Sequence, residues 1–265
     1  MTAPVERYPR NFTDLTGRVA VVVGGTSGLG RAIAIGLAEC GADVVPAGRR
    51  TALVAETCAE IRGMGRRTLE QGVDVVSRDS VDALCDAVCA QLGGVDVLVN
   101  AAGRTARRPT ADVTGDEWAS VLETNLTGTL YACQAFFAAL SRHRRGRIVN
   151  IASLSSFVAF HEVAAYGASK AAVLSLTRSL GTEWAPQGVN VNAVVPGVFR
   201  TDLNAALLDG TPRGRELLMR TPMGRFGRPE EVVGAAAFLA SDAASFITGQ
   251  AIVIDGGFLA SGVNS

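Results

Sequence analysis

Short runs of β-branched residues alternate along this chain with longer stretches in which apolar side chains recur every three or four positions. The short runs are Val19–Val23, Asp43–Ala47, Thr68–Val73, Val95–Val99, Arg147–Ile151, Val189–Val194 and Ala251–Ile254, and they read as seven strands. The longer stretches, Gly30–Cys40, Ser80–Leu92, Asp116–Arg142, Tyr166–Ala185 and Pro229–Ala240, read as helices. Each connection is long enough for a right-handed crossover. The alternation therefore predicts an α/β fold, a doubly wound parallel sheet of seven strands with helices on both faces. One residue resists the pattern. Pro46 falls inside the second run and brings no N–H to a ladder, so that strand is expected to end early or to carry a bulge.

Composition narrows the class. Of the 265 residues, 48% are hydrophobic and 19% charged, with 30 Gly and 9 Pro, which is too apolar for disorder and too poor in proline for fibrous classes. A chain of this length buries roughly 75% of its unfolded surface without help from disulfides or metal. No linker, repeat or low-complexity tract divides it, so residues 1–265 are expected to form one domain. The 25 basic residues cancel the 25 acidic ones, which leaves no field to draw nucleic acid or an anionic bilayer. Apolar stretches fall short of the roughly 18 residues a membrane span needs. Residues Met1–Phe12 are polar and lack the apolar region of a signal peptide, so a cytoplasmic protein is expected. The five scattered cysteines, with only two histidines, read as free and mostly buried thiols, and no metal site is expected.

Candidate chemistry begins directly after the first strand, in Val23-Gly24-Gly25-Thr26-Ser27-Gly28-Leu29-Gly30. Glycines at 24, 28 and 30 permit a sharp turn, close approach of a pyrophosphate and tight packing of helix on strand, and the helix that follows offers unpaired N–H groups to an anion. At the end of the second strand, where a carboxylate would bond a ribose 2′-hydroxyl, the chain reads Ala47-Gly48-Arg49-Arg50. Arg49 is suited to a 2′-phosphate, which favours NADP over NAD by roughly ten- to a hundredfold. Solvated loop cations would have the same sequence.

Tyr166 and Lys170 stand four residues apart in Tyr-Gly-Ala-Ser-Lys and project from one helical face. An ammonium about 4 Å from a phenol, at an effective dielectric of ~20, contributes roughly 4 kcal/mol and is expected to bring the tyrosine down towards neutrality. Ser153 follows the fifth predicted strand at its C-terminal end, the side where doubly wound sheets place their ligand crevice.

The spacing Gly-x-x-x-Gly-x-Gly, Ser153, Tyr166-x-x-x-Lys170 and Asn125 in Thr-Asn-Leu-Thr-Gly resemble the short-chain dehydrogenase/reductase family over nearly the whole chain, from about Asp14 to Gly257. The resemblance implies a Rossmann-type fold, an NAD(P)-dependent oxidoreductase and a catalytic set of Asn125, Ser153, Tyr166 and Lys170. It assigns Tyr166 as proton donor and acceptor, Lys170 as the group that tunes it and bonds the nicotinamide ribose, and Ser153 as the group that orients the substrate oxygen. Asn125 would hold a water linking Lys170 to solvent. Cofactor contacts are expected from Gly24, Thr26, Ser27, Gly28, Leu29, Gly30, Arg49 and Arg50, and from Asp74 and Val75 beside the adenine. Asn100-Ala101-Ala102-Gly103, then Tyr166 and Lys170, then Pro196, Gly197, Val198 and Thr201 near the nicotinamide complete them. Val23 and Ala101 depart from the family's Thr and Asn, which puts some bracing hydrogen bonds of the turn in question.

Substrate selection is expected in Arg104–Pro109, Leu154–Val163 and Val198–Gly227, the last read as a loop able to close over the crevice. Candidate substrate contacts are Arg104, Ser153, Ser155, His161 and Phe199. Arg104, Arg107, Arg108, Arg200 and His161 suit an anionic substrate, and a solvated basic loop would look the same. Phe199-Arg200-Thr201-Asp202-Leu203 and the end Asp255–Gly262 resemble gluconate 5-dehydrogenases and related deoxygluconate dehydrogenases, which implies a sugar acid. The same core serves 3-oxoacyl-carrier-protein reductases, for which the basic run would dock an acidic carrier. A non-catalytic NADP sensor would need no Tyr166/Lys170 pair. Ala-rich helices at Asp116–Leu140 and Ser169–Ala185 point to a homo-oligomer, a tetramer or dimer by the family's habit.

Overall fold

The computed structural model describes residues 11–201 and 204–264. Its centre is a parallel sheet of β1 (Val19–Val23), β2 (Asp43–Ala47), β3 (Val97–Asn100), β4 (Gly146–Ile151), β5 (Val189–Pro196) and β6 (Ala251–Ile254), in the order β2-β1-β3-β4-β5-β6. Around it lie α1 (Gly28–Glu39), α2 (Thr51–Gly63), α3 (Arg78–Leu92), α4 (Gly115–Leu122), α5 (Gly128–Ser141), α6 (Ala164–Glu183), α7 (Ala205–Leu208), α8 (Pro212–Met219) and α9 (Val233–Ala240). Period-two alternation sends strand residues to two faces. Val22, Val99 and Val149 pack with Ile33 and Leu37 of α1 and Leu239 of α9, while Val21, Leu98 and Ile148 pack with Leu84 of α3 and Phe136 of α5. Each fully buried Val or Leu contributes about 1.5–3 kcal/mol of hydrophobic stabilisation. After β2 the chain crosses back over β1 to β3, so the strand order reverses between β1 and β3 and opens a crevice at their C-terminal ends.

The sheet has six strands among the described residues, and the strand expected at Thr68–Val73 is absent. Pro46 explains it. Along β2 the odd-numbered residues bond towards β1, as Asp43 N–H does to Arg18 O (2.9 Å), whereas Val44 N–H points outward to Arg67 O (3.1 Å). Pro46 shares that outward parity and has no N–H to give. The outer segment is therefore tied only before and after it, the second time by Val73 N–H donating to Gly48 O at 3.1 Å, with a single bridge between Gly48 and Gly72. Because its missing donor faces the sheet edge, Pro46 costs β2 nothing against β1, and the strand runs unbroken to Ala47 with neither early end nor bulge.

Two helical expectations are also revised. The stretch Asp116–Arg142 is divided into α4 and α5 by one π-helical turn, Glu123–Thr127, an insertion of the kind that gathers at functional sites. Within Val198–Gly227, read as loop, α7 and α8 form; Thr211 caps α8 by accepting from Gly214 N–H at 2.9 Å, and Pro212 takes the first helical turn. The five cysteines are free thiols, Cys58, Cys85 and Cys133 buried. Among the described residues no helix is long and apolar enough to cross a membrane, and no three His, Cys, Asp or Glu residues are grouped to share a metal ion. Residues Met1–Arg10, Asp202 and Leu203, which carried part of the sequence reading, lie outside the described residues.

Candidate active site

At the crevice the chain must turn from β1 into α1 in very little space. Gly24 adopts φ +84°, and a Cβ there would lie 2.4 Å from Ala102 N; at Gly30 it would lie 2.2 Å from Gly24 O. Only glycine permits this approach. Ser27 precedes α1 in an extended conformation without capping the helix by its side chain, and no acidic residue stands in the first turn. The N–H groups of α1 are left facing a concave turn, the arrangement that binds a phosphate. Val23 and Ala101, the two departures from the family pattern, do not loosen it, because backbone bonds brace the turn: Ala101 N–H to Val23 O and Gly24 N–H to Ala47 O, both 2.8 Å.

The turn forms one wall of a cleft of about 820 Å³ that runs across the C-terminal ends of the strands. Of the expected cofactor contacts, those in the glycine turn, Arg49, Arg50, Asp74, Val75, Ala101, Ala102, Gly103, Pro196, Gly197, Val198 and Thr201 all line it. The two arginines after β2 differ. Arg50 donates through Nη2 to Ser27 Oγ at 2.8 Å, whereas Arg49 is exposed and makes no hydrogen bond or ion pair among the described residues. Asn100 is the exception. It lies behind the cleft, 4% exposed, with Nδ2 donating to Asn150 Oδ1 (2.9 Å) and Cys133 Sγ (3.3 Å), so it ties β3 to β4 instead of facing a ligand.

Ser153, Tyr166 and Lys170 meet in the same cleft. Ser153 follows β4 and caps a short 3₁₀ turn, its Oγ accepting from Ser155 N–H at 3.2 Å, and it is also a hydrogen-bond partner of the Tyr166 hydroxyl. Tyr166 and Lys170 stand one turn apart on α6, with Lys170 Nζ 5.8 Å from the centroid of the tyrosine ring. The ammonium is turned to the sheet, donating to Ile151 O at 2.7 Å. Burial holds the Lys170 pKa down at about 8. Burial also raises the pKa of Tyr166, and the bond to Ser153 lowers it only in part. The expected drop of the phenol towards neutrality is thus not found: burial outweighs the other influences on Tyr166, and the Lys170 ammonium is engaged by Ile151 O.

Asn125 sits in the π turn, fully buried. Its Oδ1 accepts from Arg104 N–H (2.8 Å), and its Nδ2 donates to Arg104 O and Ser169 Oγ (both 2.9 Å). The side chain is spent on protein partners and clamps the Gly103–Arg104 turn against α6. It has no donor left for the water expected of it. A Cβ on Gly103 would lie 3.5 Å from Asn125 Oδ1 and 3.6 Å from Lys170 Nζ, which places this clamp beside the reacting groups.

The substrate end departs most from expectation. Arg104, Ser153, Ser155 and Phe199 line the cleft, but His161 is on the surface with its side chain 82% exposed. Two cations of the basic run are neutralised by their surroundings, Arg107 by Glu162 at 2.6 Å and Arg108 by Glu117 at 2.8 Å, whereas Arg104 bonds the neutral Ser120 Oγ and keeps its charge at the cleft. Arg200 pairs with Asp209 at 2.6 Å. Residues within the expected segments Leu154–Val163 and Val198–Gly227, but not singled out there as contacts, build the wall as well, among them Leu154, Phe160, Leu208, Leu217 and Arg213. The Thr211-Pro212 start signal of α8 was the available clue to Leu217 and Arg213, since it converts a presumed loop into a packed helix.

A family profile described as Enoyl-(Acyl carrier protein) reductase matches residues 23–259. The chain is 37% identical over 248 residues to the 2-dehydro-3-deoxy-D-gluconate 5-dehydrogenase of Escherichia coli K12, covering 93% of this chain and 97% of that protein. It is 42% identical over 246 residues to the D-threitol dehydrogenase of Mycolicibacterium smegmatis, covering 92% and 94%. The crystal structure of a gluconate 5-dehydrogenase from Burkholderia cenocepacia J2315 in complex with NADP and tartrate superposes with a TM-score of 0.91 at 36% identity, covering 94% of this chain and 98% of that one.

Proposed function

The chain belongs to the short-chain dehydrogenase/reductase family, and from that premise we propose that it moves a hydride between NADP(H) and a hydroxyl or keto group on a small sugar acid of the gluconate type. One observation carries the reading. Ser153, Tyr166 and Lys170 converge at one part of a cleft whose other wall is a glycine turn shaped for a dinucleotide phosphate.

The residues present fit the dinucleotide. The turn at Gly24–Gly30 and the open N-terminus of α1 would hold the pyrophosphate, Arg49 the 2′-phosphate, Asp74 and Val75 the adenine side, and Lys170 the nicotinamide ribose. When bound, the nicotinamide cofactor supplies or accepts the hydride. Tyr166 gives its phenolic proton to the substrate oxygen in reduction and takes it back in oxidation, and Ser153 Oγ donates to the same oxygen and orients it. Lys170, cationic at neutral pH with a pKa of about 8, stabilises the tyrosinate left behind. Asn125 acts as a positioning residue through its three side-chain bonds. A water in the expected proton relay would donate to Asn125 Oδ1 or to its backbone carbonyl, each of which already accepts one bond, from Arg104 N–H and from Thr129 Oγ1, both at 2.8 Å.

A sugar acid is supported by the relatives that act on deoxygluconate and by the tartrate and NADP held by the Burkholderia enzyme. Docking of an acidic acyl carrier loses its motive, because Arg107 and Arg108 are already paired with Glu162 and Glu117. The remaining parts of the proposal are one domain over residues 1–265, a cytoplasmic location and assembly as a homodimer or homotetramer. Oxidation of gluconate and reduction of 5-ketogluconate and of a 3-oxoacyl thioester, each with NADP(H) and NAD(H), test the function. Turnover of the sugar acids with NADP(H) is expected; turnover of the thioester alone overturns the substrate class, and preference for NAD(H) overturns the cofactor.

A further inference from the structure

We infer that Arg213, in the first turn of α8, binds the carboxylate of the substrate and selects acids over neutral polyols. The inference rests on the reading of this cleft as an oxidoreductase site and names the group that reads the substrate's charge.

Arg213 lines the cleft and is half-buried. Its helix is fixed to the reacting end: Leu208 and Leu217, on either side of it in the chain, pack in one cluster with Leu154, the residue after Ser153. Gly214, its neighbour, lies so close to α7 that a Cβ would stand 1.8 Å from Leu208 O. Arg213 is therefore carried by a helix seated on the site and not by a free loop.

Its electrostatic position is unfavourable without a ligand. A cation in the first turn of a helix faces the positive end of the macrodipole, and α8 has no acidic residue there to offset it. Arg213 makes no hydrogen bond or ion pair among the described residues, although Arg107, Arg108 and Arg200, also near the mouth, each have a carboxylate partner. Among the described residues of the cleft wall the only acidic one is Asp74, which follows Val73. A half-buried arginine without a carboxylate partner among the described residues, in a cleft wall that also holds Phe160, Leu208 and Leu217, meets a carboxylate in a partly desolvated place, where its planar fork makes two parallel bonds. A hydroxyl in the same position would offer one weak neutral acceptor, which gives the site its selectivity.

Gluconate and D-glucitol differ only in carboxylate against hydroxymethyl at one end, and they form the test pair. In the full chain with NADP, Arg213→Gln is expected to lower the ratio of kcat/KM for gluconate to that for glucitol by roughly ten- to a hundredfold, the worth of one charge-assisted contact. The loss should fall on KM, and Arg213→Lys should restore part of it. Calorimetric binding of gluconate to the NADP-loaded Tyr166→Phe protein gives a readout without turnover, and adding Arg213→Gln should weaken it by the same factor. Arg215→Gln, on the exposed side of α8, controls for damage to the helix. An unchanged ratio, or an equal loss of both substrates, overturns the assignment while leaving the oxidoreductase reading intact. Absence of any oxidoreduction by wild type would defeat that reading instead, and the calorimetric arm would still decide whether Arg213 holds a carboxylate.

Discussion

Lys170 Nζ donates to the carbonyl oxygen of Ile151 at 2.7 Å, so an ammonium buried under α6 is tied to the last residue of β4. Burial holds the pKa of the lysine at about 8 in the folded protein, below its ordinary value of 10.5 in the unfolded chain. Between those values the unfolded state binds more protons, so the contribution of Lys170 becomes more favourable as pH rises, and below 8 the folded state bears the whole burial cost. The stability of wild type relative to Lys170→Met should therefore rise by about 3 kcal/mol from pH 8 to 10.5. Cys85 and Cys133, pushed up to about 12 by burial, act in the opposite direction but equally in both proteins. Urea denaturation at a series of pH values, without cofactor, checks this; a flat difference refutes it.

Tyr166→Phe removes one hydroxyl from a half-buried ring that the fold otherwise retains. Turnover should fall by roughly 10²–10⁴, the usual worth of a positioned acid–base group, with NADP affinity within a few-fold of wild type. Steady-state rates and a fluorescence titration of the cofactor separate the two, and near-normal turnover would remove Tyr166 from the mechanism.

Arg49 and Arg50 should separate on substitution. Arg49→Gln is expected to weaken NADP roughly ten- to a hundredfold and to leave NAD nearly unaffected, because the guanidinium has only the 2′-phosphate to answer. Arg50 already bonds Ser27 Oγ at the phosphate turn, so Arg50→Gln should disturb both cofactors alike. Titration of each variant with each cofactor decides it.

Two glycine substitutions should have opposite signs. Gly24→Ala forces a Cβ to 2.4 Å from Ala102 N at φ +84°, and should cost about 1–3 kcal/mol with loss of cofactor binding. Gly234, exposed near the start of α9 with open space at its Cβ position, should gain about 0.4–1 kcal/mol on change to Ala. Thermal melts of the two variants read both signs.

The elements legible in the sequence were those with a local cause. Valine runs marked the six strands, the glycine turn marked the phosphate site, and the Tyr166/Lys170 spacing marked one face of α6. What escaped depended on partners distant in the chain. Asn100 sits in a motif that suggests a ligand contact, yet Asn150, fifty residues on, takes its amide into the sheet. The basic run looked free because Glu117 and Glu162 are remote in sequence. Arg213 was hidden for the converse reason: nothing in the chain signals that one arginine among many lacks a partner.

Pro46 also determines where the sheet can grow. An unprotected edge offers a continuous row of donors and acceptors, and a foreign strand can copy its register from that row, which is how aggregates propagate. On the β2 side the row has a gap at Pro46, and the segment around Arg67 and Val73 occupies the positions before and after it. β6, at the other end of the sheet, has no proline, and its Ala251 and Val253 are exposed. One imino acid thus gives the sheet a blunt end at β2, where a strand added by another chain would find its row of donors interrupted.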